Sequence, residues 1–247
     1  MRGVQDNHTP PTGDSGKPRP VRTYVRRSGR ITESQKRDYD ALASRWCVPA
    51  RDGRPLNFPE MFGNDNPVVI EIGFGRGNAT AQIAAGNPGV NYLGIEVFTG
   101  GVGHLLGEIR RLGLANLRII EGDALELLAG RVPDGSVAGF HLFFPDPWPK
   151  KRHHKRRLLR RPRTDLLAAK LTPGGGICFV TDIADYALSA RAELDATPGL
   201  ANRFPGFAPR QTWRPETRFE AKGTAQGREP LELVYEKRPE SACIPTG

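Results

Sequence analysis

The sequence predicts an α/β fold in which a doubly wound, mostly parallel sheet has helices on both faces. From residue 67 onward, short apolar runs recur about every 25 residues, and segments with helical spacing lie between them. The apolar runs are continuous rather than alternating, which is typical of parallel strands buried on both faces. Right-handed crossovers then place the connecting helices on the two sides of the sheet.

Each element has a local signal. The run 68–72 is apolar and β-branched and is closed by Gly73, and Asn78 can cap the helix that follows. A repeat at helical spacing stops at Gly113, and Pro162 suits the first turn of a later helix. The predicted elements are, in order, strand 68–72, helix 78–85, strand 91–97, helix 102–112, strands 117–120 and 137–144, helix 162–171, a turn at 173–176, strand 177–180, helix 184–194 and strand 231–235.

The rest of the chain divides by composition. Residues 1–30 are rich in Pro, Gly and Arg and lack periodicity, so we expect a disordered basic extension there. Residues 31–66 form a helical and loop segment, 67–238 form the folded domain, and 239–247 form a C-terminal tail. The stretch 198–215 is expected to be a long loop, and loops of that length in compact domains are often functional.

The composition also excludes several classes of protein. No apolar run approaches the roughly 18–20 residues that cross a bilayer, and no apolar segment follows the N-terminus as in a secretory signal. Cys47, Cys178 and Cys243 lie far apart and have neither the spacing of a metal site nor that of a disulfide framework. We therefore expect a cytoplasmic protein that binds no membrane and no metal.

Positive charge is concentrated in one place. The chain has a net charge of +9, and residues 150–163 alone hold nine Lys and Arg residues and no acid. This basic strip on an otherwise slightly acidic body favours a surface that binds phosphate groups. A solvated helix face or a localisation signal is the alternative for the strip taken alone. The extension 1–30 could likewise be an RNA-contacting arm or a solvated tail.

An acidic residue lies at or just past the end of each of the first five predicted strands. The carboxyl ends of parallel strands meet at one edge of a sheet, where ligands of open α/β folds bind. A single such acid is often only a helix cap, but five carboxylates at one edge repel each other unless a ligand supplies cations or donors. These residues are Glu71, Glu96, Asp123, Asp146 and Asp182.

The first strand leads into a glycine loop, Gly73-Phe74-Gly75-Arg76-Gly77. Its spacing is shorter than that of the dinucleotide fingerprint, and an acid stands two residues before the first glycine. This favours a cofactor that is positively charged and has no phosphate, such as S-adenosylmethionine, over a nicotinamide dinucleotide. Glu96 is then placed for ribose hydroxyls and Asp123 for the adenine, unless they only form turns or caps.

The segment 143–150, Phe-Phe-Pro-Asp-Pro-Trp-Pro-Lys, follows the fourth strand. Three prolines in five residues stiffen the backbone and hold Asp146 and Trp148 at the sheet edge, directly before the basic strip. Trp148 could stack on a base or pack as a structural wedge. Later in the chain, Glu220 could accept hydrogen bonds from a guanine edge or be an ordinary surface residue.

These motifs together resemble the TrmB family, the tRNA (guanine-N7-)-methyltransferases, over residues 39–237. The resemblance rests on the motifs at 71–77, 94–97, 143–150, 154–157 and 217–220. It implies a seven-stranded Rossmann-like sheet of the class I methyltransferases for residues 67–238. It also implies transfer of a methyl group from S-adenosylmethionine to N7 of guanine 46 in the variable loop of tRNA.

The resemblance assigns a role to each motif residue, with Asp146 as the catalytic residue. The family more often has Lys where this chain has Arg218. The implied cofactor site comprises Glu71, Gly73, Gly75, Gly77, Glu96, Asp123 and Asp146. The implied substrate contacts are Lys150, Asp182, Thr217, Arg218, Phe219 and Glu220, and from the basic strip we expect RNA contacts by Lys151, Arg152, Lys155, Arg156 and Arg157.

Three other functions compete with this one. A methyltransferase of exocyclic amino groups would use an Asn/Asp-Pro-Pro-Tyr motif, which is close to Pro-Asp-Pro-Trp but not the same. A nicotinamide-dependent oxidoreductase is disfavoured by the glycine spacing. A non-catalytic RNA-binding module would not explain five acids at one edge. The sequence leaves open whether the protein is a monomer or a homodimer.

Overall fold

The computed structural model describes residues 21–25 and 29–239. Most of the predicted basic extension, most of the C-terminal tail and Cys243 therefore lie outside the described residues. The first helix is α1 (Glu33–Trp46). Its N-cap residue is Thr32, which forms a capping box with Gln35. The short helix α2 (Phe58–Phe62) precedes the first strand.

Seven strands form one sheet. In chain order they are β1 (Val68–Ile72), β2 (Asn91–Glu96), β3 (Leu117–Glu121), β4 (Val137–Phe143), β5 (Leu171–Thr181), β6 (Leu200–Asn202) and β7 (Leu231–Lys237). Their order in the sheet is β3-β2-β1-β4-β5-β7-β6, which confirms the predicted fold class. Strand β7 runs antiparallel to both of its neighbours, and the other pairings are parallel. The order reverses between β1 and β4, so ligands are expected at the carboxyl ends of these two strands.

Helices cover both faces of the sheet. Those that follow the first strand are α3 (Asn78–Gly86), α4 (Thr99–Leu112), α5 (Ala124–Gly130), a 3₁₀ helix (Lys151–Arg156), α6 (Arg163–Lys170), α7 (Ala184–Asp195) and α8 (Arg218–Thr224). One core cluster joins α1, α3 and α4 to one face, and a second joins α2, α5, α6 and α7 to the other. In the described part of the chain, no helix has the length and apolar character needed to cross a bilayer.

The structure differs from the sequence prediction in four places. Asn78 does not cap helix α3, because it is the first residue of the helix; Gly77 stands at the N-cap and no side chain caps the helix. The expected turn at 173–176 is a bulge inside β5, where the pairing passes from Val137–Leu171 to Gly139–Gly176. The expected loop at 198–215 contains the edge strand β6, which has only three residues and so no readable periodicity. Helices α5 and α8, of seven residues each, were not predicted.

Candidate active site at the carboxyl edge of the sheet

The glycine loop between β1 and α3 packs closely on α4. Gly73, Gly75 and Gly77 all have φ between 60° and 75°, a region that glycine adopts without strain. A Cβ atom on Gly101 of α4 would lie 1.9 Å from the carbonyl oxygen of Gly75. This close approach fixes the loop at the end of β1 and leaves room for a ligand against its backbone.

Glu96, at the end of β2, holds the glycine loop in place. Its Oε2 atom accepts a hydrogen bond of 2.8 Å from the amide of Gly75. Its Oε1 atom accepts from the amides of Val97 and Phe98, at 2.7 and 3.1 Å. The two strand ends are thereby joined through one carboxylate, and its contact with ribose hydroxyls stays a prediction.

Glu71 is a buried carboxylate at the carboxyl end of β1. Among the described residues, its Oε2 atom has no hydrogen-bond partner. Burial raises the pKa of Glu71 to about 7, and the neighbouring Glu96 adds to this shift. A buried acceptor without a partner costs about 1–3 kcal/mol, so this position suits a ligand that brings a positive charge or a donor.

Asp123, at the end of β3, caps helix α5. Its Oδ1 atom accepts hydrogen bonds from the amides of Leu125 and Glu126, at 2.9 and 3.4 Å. The residue also lines a cavity of about 710 Å³ together with Glu121 and Gly122. The cap that the sequence left open is therefore present, and the contact with adenine stays a prediction.

The proline-rich segment after β4 contains two strained residues. Phe144 and Trp148 both have φ of 48°, a left-handed conformation that is uncommon outside glycine. Such residues cost about 1–3 kcal/mol each and persist where the surrounding structure holds them. The strain thus marks the two ends of the turn that carries Asp146, as expected of a functional segment.

Residues 21–25 lie against this turn. The amide of Val25 donates a hydrogen bond of 2.8 Å to Oδ2 of Asp146. The indole Nε1 of Trp148 donates to the carbonyl oxygen of Thr23 at 3.1 Å. A part of the predicted extension therefore occupies the position next to the expected catalytic residue.

Arg157 differs from the expectation that it contacts RNA. Its side chain is only 3% exposed, because the guanidinium points into the protein. It donates to the carbonyl oxygen of Pro147 at 3.0 Å, to Ser189 of α7 at 2.8 Å, and to the carboxylate of Asp185. Arg157 therefore links the proline-rich segment to α7. Its guanidinium is buried and is not accessible to a phosphate.

The rest of the basic strip near this turn is different. Lys151, Arg152 and Lys155 lie on the 3₁₀ helix and are exposed, and Lys150 is exposed directly before it. Arg156 is half-buried, with its guanidinium carbon 4.8 Å from the ring centre of Trp148. These cations form a solvent-facing surface beside Trp148, and their contact with RNA stays a prediction.

The motif Thr217–Glu220 forms the start of α8. The hydroxyl of Thr217 accepts from the amide of Glu220 at 3.0 Å, and the carboxylate of Glu220 accepts from the amide of Thr217 at 3.3 Å. Arg218 is the first residue of the helix. Phe219 is half exposed, and its ring lies 5.2 Å from that of Phe144. The motif thus lies beside the proline-rich segment.

Arg214 is a site residue that sequence reasoning missed. It is fully buried and donates two hydrogen bonds to Glu220, of 2.5 and 2.7 Å, and two to Glu232 of β7, of 2.7 and 3.3 Å. Its guanidinium carbon also lies 5.8 and 5.9 Å from the rings of Phe143 and Phe144. Because both oxygens of Glu220 are bound by Arg214, any contact of Glu220 with guanine must form in addition to this pair.

Asp182, at the end of β5, is paired as well. Its side chain is 6% exposed, and its Oδ2 atom accepts a hydrogen bond of 2.8 Å from Arg228. The contact with substrate stays a prediction. Within the described part of the chain, no group of three His, Cys, Asp or Glu side chains is arranged to hold a metal ion.

Comparison with known proteins identifies the family. Residues 65–233 match the model of a family described as "Putative methyltransferase". The tRNA (guanine-N(7)-)-methyltransferase of Treponema pallidum (strain Nichols) is 49% identical, over 92% of this chain and 99% of the relative. The enzymes of the same name from Alkalilimnicola ehrlichii and Bordetella parapertussis are 47% and 45% identical, over 89% and 88% of this chain and 94% and 85% of theirs.

The chain belongs to the tRNA (guanine-N(7)-)-methyltransferase family. This confirms the resemblance inferred from the motifs, and with it the class of enzyme. Among solved structures, that of the 16S rRNA methyltransferase KamB is similar, with a TM-score of 0.54 and 16% identity over 74% of this chain and 93% of that one. This likeness confirms the Rossmann-like methyltransferase fold.

The donor set fits the methyl donor of this methyltransferase family, S-adenosylmethionine. The unpartnered oxygen of Glu71 offers a negative charge to a cationic cofactor. The left-handed glycines allow close approach to the backbone of the loop, and Glu96 holds that loop against the end of β2. The shorter glycine spacing of this loop disfavours the nicotinamide alternative, as the sequence predicts.

Proposed function

We propose that this protein transfers the methyl group of S-adenosylmethionine to N7 of guanine 46 in the variable loop of tRNA, in the cytoplasm. The observation that carries the proposal is the similarity to tRNA (guanine-N(7)-)-methyltransferases along almost the whole chain. The position of the guanine rests on the resemblance of the motifs alone. A monomer and a homodimer are both compatible with the proposal, and sedimentation velocity at assay concentration distinguishes them.

The reaction requires the protein to position the guanine and to stabilise the developing charge, and it requires no general base. N7 of guanine carries an unprotonated lone pair at neutral pH, so no proton has to be removed before attack. The cofactor supplies a methyl group on a positively charged sulfur. The protein must hold the base in line with that group, which is an entropic contribution to the rate.

Asp146 suits this chemistry because the methylated ring becomes cationic. A carboxylate fixed beside the ring stabilises the charge that develops, and removal of one such electrostatic group typically costs about 100- to 1,000-fold in rate. The strained turn between Phe144 and Trp148 holds that carboxylate at the sheet edge. Asp146 therefore orients the guanine and stabilises its charge, and does not act as a general base.

The exposed cations beside this turn suit the backbone of tRNA. Lys150, Lys151, Arg152 and Lys155 are exposed beside the turn that carries Asp146, which supports contacts with phosphates next to the target base. Contacts of this kind set affinity and register, while the base contacts set specificity.

Methyl transfer from labelled cofactor to total tRNA, followed by nucleoside analysis, tests the proposal. We expect 7-methylguanosine as the product, and borohydride followed by aniline should then cleave the chain at the modified base. A labelled product that resists cleavage would favour methylation of an exocyclic amino group. A folded protein that binds tRNA but shows no heat of binding with S-adenosylmethionine would favour a non-catalytic module. A tRNA with adenine at position 46 tests the position of the target: we expect no 7-methylguanosine from it, and a methylated product would mean that another guanine is the target.

A further inference from the structure

The segment 21–25 lies against the turn that follows β4 and carries Asp146. At one end it is held by Asp146 and Trp148, just past β4. Further along the chain, a Cβ on Gly29 would lie 3.0 Å from the ring of Phe98, which follows β2. Gly29 therefore lies at the end of β2, while Thr23 and Val25 lie just past the end of β4, and the order of the sheet places β1 with its glycine loop between these two strands.

The two hydrogen bonds of this segment show which groups Asp146 and Trp148 offer at this turn. Asp146 is an acceptor and is met by a donor, the amide of Val25. Trp148 is a donor and is met by an acceptor, the carbonyl oxygen of Thr23. An indole nitrogen can only donate, and an ionised carboxylate can only accept, so this pattern does not depend on a choice of tautomer.

Guanine carries the same pair of groups. Its O6 atom is an acceptor next to N7, whereas adenine has an amino donor at that position. The neighbouring N1–H of guanine is a donor. A ligand that replaces Thr23 and Val25 at these two residues must offer one acceptor and one donor, and guanine does so while adenine turns a donor toward the donor Trp148.

We propose that Trp148 is a specificity-determining residue, which donates its indole N–H to O6 of the target guanine while Asp146 accepts from N1–H. This inference rests on the proposed function and adds a second recognition contact to it. It also requires the base to displace the backbone groups of Thr23 and Val25.

The surroundings of Trp148 support a fixed direction for its N–H. The residue is held at φ of 48°, where its backbone has little freedom. Arg156 covers one face of its ring at 4.8 Å, and His153 approaches in an edge-on arrangement with ring centres 5.9 Å apart. An indole ring held on these sides presents its donor in one direction, as discrimination between bases requires.

The variant Trp148→Phe tests the inference, because it removes the N–H and keeps an aromatic ring. It is compared with the wild type on two tRNAs, one with guanine and one with 6-thioguanine at the target position. The thio base keeps N7 and N1–H but replaces O6 by sulfur, a weak acceptor. We expect kcat/KM to fall about 5- to 10-fold on guanine, the usual loss for one hydrogen bond, and less than about 2-fold on 6-thioguanine.

If Trp148 only holds the turn in place, the result is different. Trp148→Phe then loosens the turn and lowers kcat/KM equally on both substrates. Equal losses would overturn the inference while leaving the proposed function intact. Absence of 7-methylguanosine with the wild type would instead overturn the proposed function. Trp46→Phe on α1 is the matched control, and should leave the ratio of the two substrates as in the wild type. Circular dichroism and titration with S-adenosylmethionine establish that Trp148→Phe is folded and binds cofactor.

Discussion

Arg157 donates a hydrogen bond of 3.0 Å to the carbonyl oxygen of Pro147, and this bond ties the turn that carries Asp146 to helix α7. The same guanidinium binds Ser189 and Asp185 of that helix. The guanidinium of Arg157 is thus buried, while Lys150, Lys151 and Lys155, which precede it in the basic strip, are exposed to solvent.

This arrangement predicts that Arg157→Ala destabilises the protein. Loss of hydrogen bonds from a charged, buried donor should lower the free energy of unfolding by about 2–3 kcal/mol, measured by urea denaturation. Lys155→Ala, two residues away and exposed, should change it by less than about 0.5 kcal/mol. Equal stability of the two variants would contradict the role of Arg157 as a link to α7.

The exposed cations predict a change in the salt dependence of tRNA binding. We expect the triple variant of Lys151, Arg152 and Lys155 to alanine to bind tRNA more weakly, with a log–log slope reduced by about 0.7–0.9 for each phosphate that the variant no longer binds. Fluorescence titration at several salt concentrations measures the slope. Affinity for S-adenosylmethionine should stay unchanged, and an unchanged slope would mean that these cations form only a solvated surface.

How far the sequence predicts this site depends on whether the signal is local. The glycine loop and the strand-end acids Glu71 and Glu96 follow from short-range patterns, and the structure joins Glu96 to Gly75 at the predicted edge. The capping box of Thr217 and Glu220 also has a local pattern, Thr-x-x-Glu, from which α8 could have been predicted.

The other parts of the site depend on contacts between distant residues. Burial of Arg214 requires Glu232 of β7, which lies 18 residues away. Likewise, nothing in a run of basic residues indicates that the guanidinium of Arg157 is buried against α7, because its partners come from another element. Side-chain direction at such positions is set by tertiary packing, which charge patterning does not report.

Asp146→Asn tests the electrostatic role of the carboxylate. The amide keeps the shape and one acceptor but loses the negative charge beside the ring. We expect the rate of single-turnover methyl transfer, at saturating tRNA and cofactor, to fall about 100-fold or more while circular dichroism is unchanged. A folded variant that transfers methyl groups at nearly the wild-type rate would remove Asp146 from the mechanism.

Val25→Pro tests whether the segment 21–25 competes with the base. Proline has no amide hydrogen, so the bond to Asp146 is lost. If the base must displace this segment, KM for tRNA should fall, by about 3- to 10-fold for one hydrogen bond, with kcat unchanged. The control is Val21→Pro, which replaces an exposed valine of the same segment and should leave KM for tRNA unchanged. A raised KM in Val25→Pro alone would mean that the segment helps to bind tRNA instead.

Glu71 predicts a dependence of cofactor binding and of stability on pH. Its pKa is raised from 4.5 to about 7 in the folded protein, chiefly by burial. The folded state therefore binds more protons than the unfolded state between these values. Stability should fall as pH rises from 4.5 to 7, by about 3 kcal/mol in total, and Glu71→Gln should flatten this fall.

The effect on the cofactor has the opposite sign. Only the ionised carboxylate attracts a cationic cofactor, so binding of S-adenosylmethionine requires loss of a proton from Glu71 below pH 7. Affinity should rise with pH from 5.5 to 7, by at most about 10-fold per pH unit. This range stays below the pKa of an α-amino group, about 8, so the cofactor's own charge is constant. Calorimetry in two buffers of different ionisation enthalpy should detect the released proton. In Glu71→Gln both the proton release and the pH dependence should disappear, and their persistence would place the titrating group elsewhere.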